Sequence, residues 1–177
     1  MNLESIDVID QPVDIVYQTV RDDLPNLAPY LPNIDKIICE SKAKSKSGLN
    51  LRNRWYAKVE LPMLLKKFIK PELLSWLDHA SWDDQSKTVS FSLESPLGFG
   101  KSLFEAKGIN YFESKGQSKT TLRVTCEVKL YPENVPGVPK ILAKKLEPAI
   151  ESLIKKMLEP NLVSLAKGLK SYYEARN

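Results

Sequence analysis

The hydrophobic period of this sequence changes near Val138, and that change limits the folds open to the chain. Between Ile34 and Leu130, apolar and polar residues alternate in successive segments, the pattern of strands with one buried and one solvated face. From about Val138 the apolar residues recur every three or four positions, which predicts a helix of about 40 residues. Its apolar stripe consists of Leu146, Ile150, Leu153, Met157, Leu165, Leu169 and Tyr172. Because proline lacks an amide donor, Pro148 and Pro160 should each kink or restart this helix.

A cavity is the expected result of packing such a sheet against such a helix. The sequence predicts one α+β domain over residues 1–177, with six or seven antiparallel strands whose apolar face needs a cover. A helix about 10 Å wide cannot cover so wide a sheet unless the sheet curves around it. The groove between a curved sheet and its helix then stays partly open.

The N-terminal residues predict a strand followed by two short helical pieces. "LESIDVID" reads as the strand, and Pro12 is well placed to start a helix over "VDIVYQTVRDD". The stretch "RDDLPNLAPYLPNI" holds three prolines among apolar side chains, too many for a continuous helix. We interpret it as a lid over the open end of the groove. Its apolar side chains should contact the ligand or the terminal helix: Leu24, Leu27, Tyr30 and Leu31.

Strand alternation also identifies side chains that face the groove. Asn53 falls among the apolar residues of its strand, and Asp78 shares a face with Trp76 and Trp82, whereas His79 points to solvent. An unpaired buried amide costs about 1–3 kcal/mol, so Asn53 should bond backbone or a fixed water, or orient the polar group of a ligand. The candidate ligand-binding residues are Leu27, Tyr30, Leu31, Leu51, Asn53, Trp55, Trp76, Asp78, Phe91, Leu153 and Met157.

The segment "PMLLKKFIKP", residues 62–71, leaves two interpretations open. Apolar side chains beside lysines are what docking on an anionic membrane surface needs. The same pattern also suits a short amphipathic piece folded over the end of the sheet with solvated lysines. The candidate membrane-contact residues are Met63, Leu64, Leu65, Lys66, Lys67, Phe68 and Lys70.

Composition excludes several classes of protein. Two cysteines, Cys39 and Cys126, are too few for a disulfide scaffold or a cysteine zinc site, and both are expected to be buried free thiols. A net charge of +4 is too weak and dispersed to indicate nucleic-acid binding. We expect no metal and no cofactor, and we interpret "SPLGFGKS" as a glycine-rich turn rather than a phosphate loop. Without a signal-like or membrane-spanning segment, the expected location is cytoplasmic, with peripheral membrane contact as an addition.

Three stretches resemble one known superfamily. "QPVDIVYQTVRDDLPNLAPYLPNIDKI" looks like its opening, and the hairpin "GINYFESKGQSKTTLRVTCEVKL" with the terminal amphipathic helix fits its last third. The chain thus resembles the START-like (Bet v 1-like, SRPBCC) superfamily of lipid-transport and polyketide cyclase proteins. The resemblance implies a helix-grip fold, in which a curved antiparallel sheet wraps a long C-terminal helix and a hydrophobic ligand lies between them.

These observations lead to an expected function with two alternatives. We expect the chain to bind, and to be able to transfer, a lipid or other hydrophobic small molecule without catalysing a reaction. One alternative is an enzyme of the polyketide cyclase/aromatase type. The other is a protein-interaction module like the activator of the Hsp90 chaperone, which would have a filled interior. The sequence leaves the oligomeric state open.

Overall fold

The computed structural model describes residues 1–95 and 101–176. Within these ranges the strands are β1 (Asn2–Ile9), β2 (Ile34–Lys44), β3 (Gly48–Ala57), β4 (Ser75–Asp83), β5 (Thr88–Glu94), β6 (Phe104–Ser114) and β7 (Thr120–Leu130). The α-helices are α1 (Val13–Asp22), α2 (Leu24–Leu27), α3 (Lys140–Val163) and α4 (Leu165–Glu174), and short 3₁₀ helices cover Ala28–Tyr30, Pro71–Leu73 and Pro132–Asn134.

All neighbouring strands of the sheet are antiparallel. Their order is β1-β7-β6-β5-β4-β3-β2, so β1 and β2 form the two edges. The sheet is curved, and the helices pack on its concave, apolar face. The predicted α+β arrangement, with two short helices after the first strand and a long C-terminal helix, is confirmed.

The C-terminal helix breaks at Ser164, not at its prolines. Pro148 and Pro160 both lie inside α3, so of the two predicted effects of these prolines, a kink or a restart, the restart does not occur. Pro160 has no N–H to offer the carbonyl one turn earlier, that of Lys156. Asn33, from the segment after α2, donates its Nδ2 to that oxygen at 3.2 Å and supplies a replacement donor. The Ser164 backbone then separates α3 from α4, with φ −118° and ψ 13°.

Residues 58–74 close one end of the fold. β3 ends at Ala57, earlier than its alternating pattern predicts, and the chain forms turns and a 3₁₀ helix before β4 begins. Leu65 and Ile69 are 0% and 3% exposed and belong to the core, while the Ala57 N–H donates to the Leu74 carbonyl at 2.7 Å. The segment is therefore anchored to the interior by two apolar side chains.

The two cysteines differ in burial. Cys126, on β7 next to the edge strand β1, is buried, and burial raises the pKa of its thiol to about 11. Cys39 is exposed, so the prediction that both thiols are buried is wrong for this one. Beyond Ile37 the edge strand β2 carries exposed residues on both faces, because it extends past the helices that would cover it.

None of the described helices is long and apolar enough to cross a membrane.

Candidate ligand-binding pocket

A pocket lies between the middle strands of the sheet and the second half of α3. Its volume is about 70 Å³. Strands β3 to β7 line one side of it. The helices close the other side with Val20 and Leu24 from α1 and α2, and with Leu158, Asn161, Leu162 and Leu165 from α3 and α4. It is thus a narrow internal space with walls from nearly every element of the fold.

Aromatic rings form much of the sheet side. Trp55 and Trp76 are opposite each other in the β3–β4 ladder and stack, with ring centroids 5.8 Å apart and an interplanar angle of 17°. Phe91 is opposite Gly108 in the β5–β6 ladder. A Cβ at position 108 would lie 2.5 Å from Phe91 Cζ and 2.1 Å from the Thr125 carbonyl oxygen. Glycine is therefore required there for the Phe91 ring to lie across the neighbouring strand.

Asp78 is a buried carboxyl held by two neighbouring side chains. Asn53 Nδ2 and Trp55 Nε1 both donate to its Oδ2, at 3.3 Å and 3.2 Å. Burial raises the pKa of Asp78 to about 6, although both hydrogen bonds favour the ionised form. Its other oxygen, Oδ1, is buried and has no hydrogen-bond partner among the described residues.

Three further pocket side chains carry buried polar atoms without a partner in the described part of the chain. They are Trp82 Nε1, Asn110 Oδ1 and Asn161 Oδ1. Asn161 uses its Nδ2 to donate to the Met157 carbonyl at 2.9 Å, which leaves its oxygen free. Each unpaired buried polar atom costs about 1–3 kcal/mol, and such atoms are few in folded proteins. Four residues that line this one pocket therefore each hold such an atom.

No protein-family model matches the chain, and no curated protein matches it in sequence. Several solved structures match the chain in fold. The aromatase/cyclase Zhui from Streptomyces sp. R1128 has a TM-score of 0.65 and 15% identity, covering 99% of this chain and 93% of its own. A START superfamily protein from Mycobacterium smegmatis has a TM-score of 0.55 and 15% identity, covering 99% of both chains. The di-domain aromatase/cyclase StfQ from the steffimycin biosynthetic pathway has a TM-score of 0.52 and 12% identity, with 98% of this chain and 46% of its own covered.

The chain has the START-like helix-grip fold. At 12–15% sequence identity, these matches show a shared fold but do not show a shared activity. In helix-grip terms, the pocket lies where the sheet curves around the second half of the gripped helix.

The predicted ligand-binding residues divide into two groups in this helix-grip structure. Asn53, Trp55, Trp76, Asp78 and Phe91 line the pocket. The remaining six are buried or half-buried outside its lining: Leu27, Tyr30, Leu31, Leu51, Leu153 and Met157. The residues of the helical stripe are buried, but the α3 lining of the pocket begins at Leu158, one residue after Met157.

Sequence reasoning missed the two pocket asparagines. Asn110 shares the inward face of β6 with Ala106 and Phe112, and Asn161 follows Leu158 at helical spacing. The signal that could have found both was a polar residue at a position where the period demands an apolar one.

The proline-broken segment packs on both β2 and the terminal helix. Tyr30 meets Tyr172 of α4 edge to face, with centroids 5.6 Å apart. Leu31 lies so close to Gly168 that a Cβ there would be 2.7 Å from Leu31 Cδ2. Leu24 alone of the four predicted lid residues lines the pocket. The segment therefore contacts α4 through Tyr30 and Leu31, and it reaches the pocket through Leu24.

Segment 62–71 presents one face to solvent. Met63 and Leu64 are 84% and 69% exposed, and Lys66, Lys67 and Lys70 are exposed beside them. Leu65 is fully buried and Phe68 half-buried, so Leu65 anchors the segment and lies outside its exposed face.

His79 lies on the outer face of the sheet, where its Nε2 is 3.1 Å from Glu94 Oε1. It is separated from the pocket by the strand itself, as alternation predicts. Residues 96–100 of the glycine-rich stretch "SPLGFGKS" lie outside the described residues. No group of three histidine, cysteine, aspartate or glutamate side chains in the described ranges is placed to hold a metal ion.

Proposed function

We propose that this protein binds a lipid or other hydrophobic small molecule in the pocket beneath α3. The observation that carries the proposal is the combination of apolar walls with four residues, lining the same space, that each hold a buried, unpaired polar atom. Apolar burial would supply the affinity, at about 25 cal/mol per Å² before ordering costs, and the polar atoms would set orientation. The fold shared with a START superfamily protein supports this assignment.

Native mass spectrometry of the freshly purified protein tests the proposal, followed by extraction of whatever is bound. We expect a small-molecule adduct that is lost in Ala80→Leu, because Ala80 is buried in the pocket wall. Ala43→Leu is the matched control, since Ala43 is exposed on edge strand β2. A protein that neither carries nor takes up any apolar molecule would contradict ligand binding and favour the interaction-module alternative.

A second candidate, acid–base catalysis of the cyclase type, is favoured by Asp78. Its carboxyl is buried, has one free oxygen at the pocket and has a pKa of about 6, suited to proton transfer near neutral pH. Zhui, which shares the fold, is an aromatase/cyclase. If this chain closes rings, Asp78→Asn should abolish turnover of a synthetic poly-β-ketone thioester while binding changes less than about threefold. His79→Gln, on the outer face, is the control and should retain activity.

Transient membrane contact is the third part of the proposal. Met63 and Leu64 would enter the acyl boundary while Lys66, Lys67 and Lys70 stay at head-group level. Replacing the three lysines with glutamine should weaken binding to phosphatidylcholine–phosphatidylserine vesicles, measured by co-sedimentation, by about a hundredfold, because roughly 1 kcal/mol is lost per lysine near the surface. A triple-glutamine variant with the same change of charge provides the control. It replaces three exposed lysines at or near the ends of β7: Lys115, Lys119 and Lys129. Unchanged sedimentation of the first variant would remove segment 62–71 from the proposal.

A further inference from the structure

The most exposed large apolar side chains of the described residues come from two distant parts of the sequence. They are Ile141, Met63 and Leu64, at 87%, 84% and 69% exposure. Met63 and Leu64 belong to segment 62–71, whereas Ile141 lies in the first turn of α3 next to Leu142, which is also exposed. Exposed apolar side chains that gather in one region indicate a contact surface. The start of α3 is thus a second exposed apolar site, outside segment 62–71.

Both apolar sites lie at the same end of the sheet. β3 and β7 run in the same direction, because four antiparallel pairings in succession connect them. Residues 58–74 follow the end of β3, and residues 131–139 lead from the end of β7 into α3. Since strands that run in the same direction end on the same side of a sheet, the chain leaves β3 and β7 toward one end of the molecule.

Buried neighbours hold both sites in place. Leu65 is fully buried within segment 62–71. Ahead of α3, Val135 is 3% exposed, and Asn134 donates its Nδ2 at 2.8 Å to the carbonyl of Ser102, which precedes β6 at the same end of the sheet. Leu146, in the second turn of α3, is buried as well. The exposed apolar side chains therefore stay outside the core although residues beside them are part of it.

The two sites also share one order of residues. Residues 63–67 read "MLLKK" and residues 141–145 read "ILAKK". In each, two exposed apolar side chains come first, a less exposed residue follows, and two exposed lysines come last. Apolar side chains beside lysines are the arrangement that docks on a membrane surface, with the lysines at the level of the head groups.

Lysine predominates at this end of the molecule. Residues 58–74 and 131–147 together hold seven lysines, four glutamates and no aspartate or arginine, an excess of +3 in a chain whose net charge is +4. An anionic lipid surface attracts such a cluster. Two copies of the chain would instead bring the same lysines together, so this charge disfavours self-association through these sites.

We propose that the start of α3 is a second membrane-contact element and that it docks, together with segment 62–71, on an anionic lipid bilayer. Ile141 and Leu142 enter the acyl boundary, and Lys144 and Lys145 stay at head-group level. The inference rests on the proposed membrane contact of segment 62–71 and extends it to a distant part of the chain. Contact at two separate sites fixes the orientation of the molecule, with this end of the sheet toward the bilayer.

Co-sedimentation with phosphatidylcholine–phosphatidylserine vesicles tests the inference with three variants. Ile141→Ser and, independently, Met63→Ser should each weaken binding by about tenfold, the effect of leaving out one buried apolar side chain. Ile6→Ser is the matched control and should bind like the parent, because Ile6 is exposed on edge strand β1, away from both sites. Vesicles of phosphatidylcholine alone should bind the parent more weakly, since they lack the negative charge.

A fluorophore at the start of α3 reports directly whether this site enters the bilayer. Ile141→Cys is labelled with the environment-sensitive dye NBD in a Cys39→Ser background, in which the remaining natural cysteine, Cys126, is buried. We expect brighter, blue-shifted emission when anionic vesicles are added, and no shift for the same label at Ile6→Cys. Circular dichroism checks that each variant is folded.

Three results would overturn the inference, and they differ in what they leave standing. If Ile141→Ser binds vesicles like the parent and the dye at position 141 does not shift, while Met63→Ser binds more weakly, the contact is confined to segment 62–71. If the folded parent binds no vesicles, the inference and the proposed membrane contact fail together, and ligand binding in the pocket is unaffected. If sedimentation velocity shows a dimer of the parent that Ile141→Ser dissociates, the start of α3 is a contact between copies of the chain instead.

Discussion

The two halves of the space between the sheet and α3 are filled differently. In the half next to segment 62–71, large apolar side chains pack with almost no exposure: Leu65, Ile69, Phe104, Ile150 and Ile154 are each 3% exposed or less. In the half beneath the end of α3, small residues such as Ala80 and Gly108 alternate with aromatic rings and with asparagines, and a pocket remains. One half is built for stability, whereas the other retains unpaired polar atoms that reduce it.

The difference follows from where the chain places its extra cover. Segment 58–74 adds two apolar anchors at the first half and completes the core there. The half beneath the end of α3 is covered by the proline-broken segment. In this segment Tyr30 and Leu31 contact α4, and only Leu24 lines the pocket. The pocket therefore persists because its cover packs on the helix beside it.

The largest expected effect compares one phenylalanine from each half. Phe104→Ala should lower the free energy of unfolding by about 3–5 kcal/mol, because a fully buried ring leaves a cavity among close-packed neighbours. Phe91→Ala should cost at least about 1 kcal/mol less, since Phe91 already borders open space. Urea denaturation of both variants measures the difference. Equal losses would mean that the two halves are packed equally well.

The second prediction concerns the pH dependence that Asp78 imposes. Because its folded pKa, about 6, lies above the unfolded value of 3.8, the folded state holds the proton more tightly, and stability falls as pH rises from about 4 to 6. Asp78→Asn removes this loss while an amide oxygen can still accept from Asn53 and Trp55. The variant should therefore be more stable than the parent by about 2 kcal/mol at pH 7.5, and the difference should shrink toward pH 4. A constant difference across this range would show that Asp78 does not titrate there.

Alternation predicted the sheet side of the pocket well, and for a simple reason. A period of two assigns every residue of a strand to one face, so the inward position of Asp78 and the outward position of His79 follow from the sequence alone. Periodicity does not indicate over what length of a strand or helix other parts of the chain pack on its inward face. For that reason the strand pattern predicts a buried Cys39, which is exposed, and the helical stripe predicts Leu153 and Met157 at the pocket, which Leu158 and Asn161 line instead.

The continuation of α3 through Pro160 could not be predicted, because a distant residue supports it. Pro160 alone indicates a lost hydrogen bond, but the Asn33 side chain supplies the missing donor from more than 120 positions away in sequence. Only the folded chain brings the two together.

The third prediction tests this contact, which holds the pocket half of α3. Asn33 has a left-handed backbone with φ of 60°, so Asn33→Ala loses the bond to the Lys156 carbonyl and also strains the backbone. We expect a loss of about 1.5 kcal/mol in thermal or urea unfolding. Asn33→Gly loses the bond but tolerates the conformation, and should cost less than about 0.5 kcal/mol. If alanine and glycine behave alike, backbone strain at this position is negligible and the contact alone sets the cost.

The smallest expected effect lies where α4 supports the proline-broken segment. A Cβ at Gly168 would be 2.7 Å from Leu31 Cδ2 and 3.1 Å from the Tyr30 carbonyl oxygen, so alanine there pushes the segment away from the helix. Overpacking typically costs about 1–3 kcal/mol, and the helix gains about 1 kcal/mol when alanine replaces glycine, which leaves a net loss of about 1 kcal/mol for Gly168→Ala. Lys167→Ala, on the exposed side of the same turn, should change stability by less than about 0.5 kcal/mol. Because Leu24 precedes this contact and lines the pocket, amide hydrogen exchange in residues 24–31 should also become faster in Gly168→Ala. Unchanged exchange there would mean that the segment does not depend on α4, and that the pocket half is covered more firmly than its packing indicates.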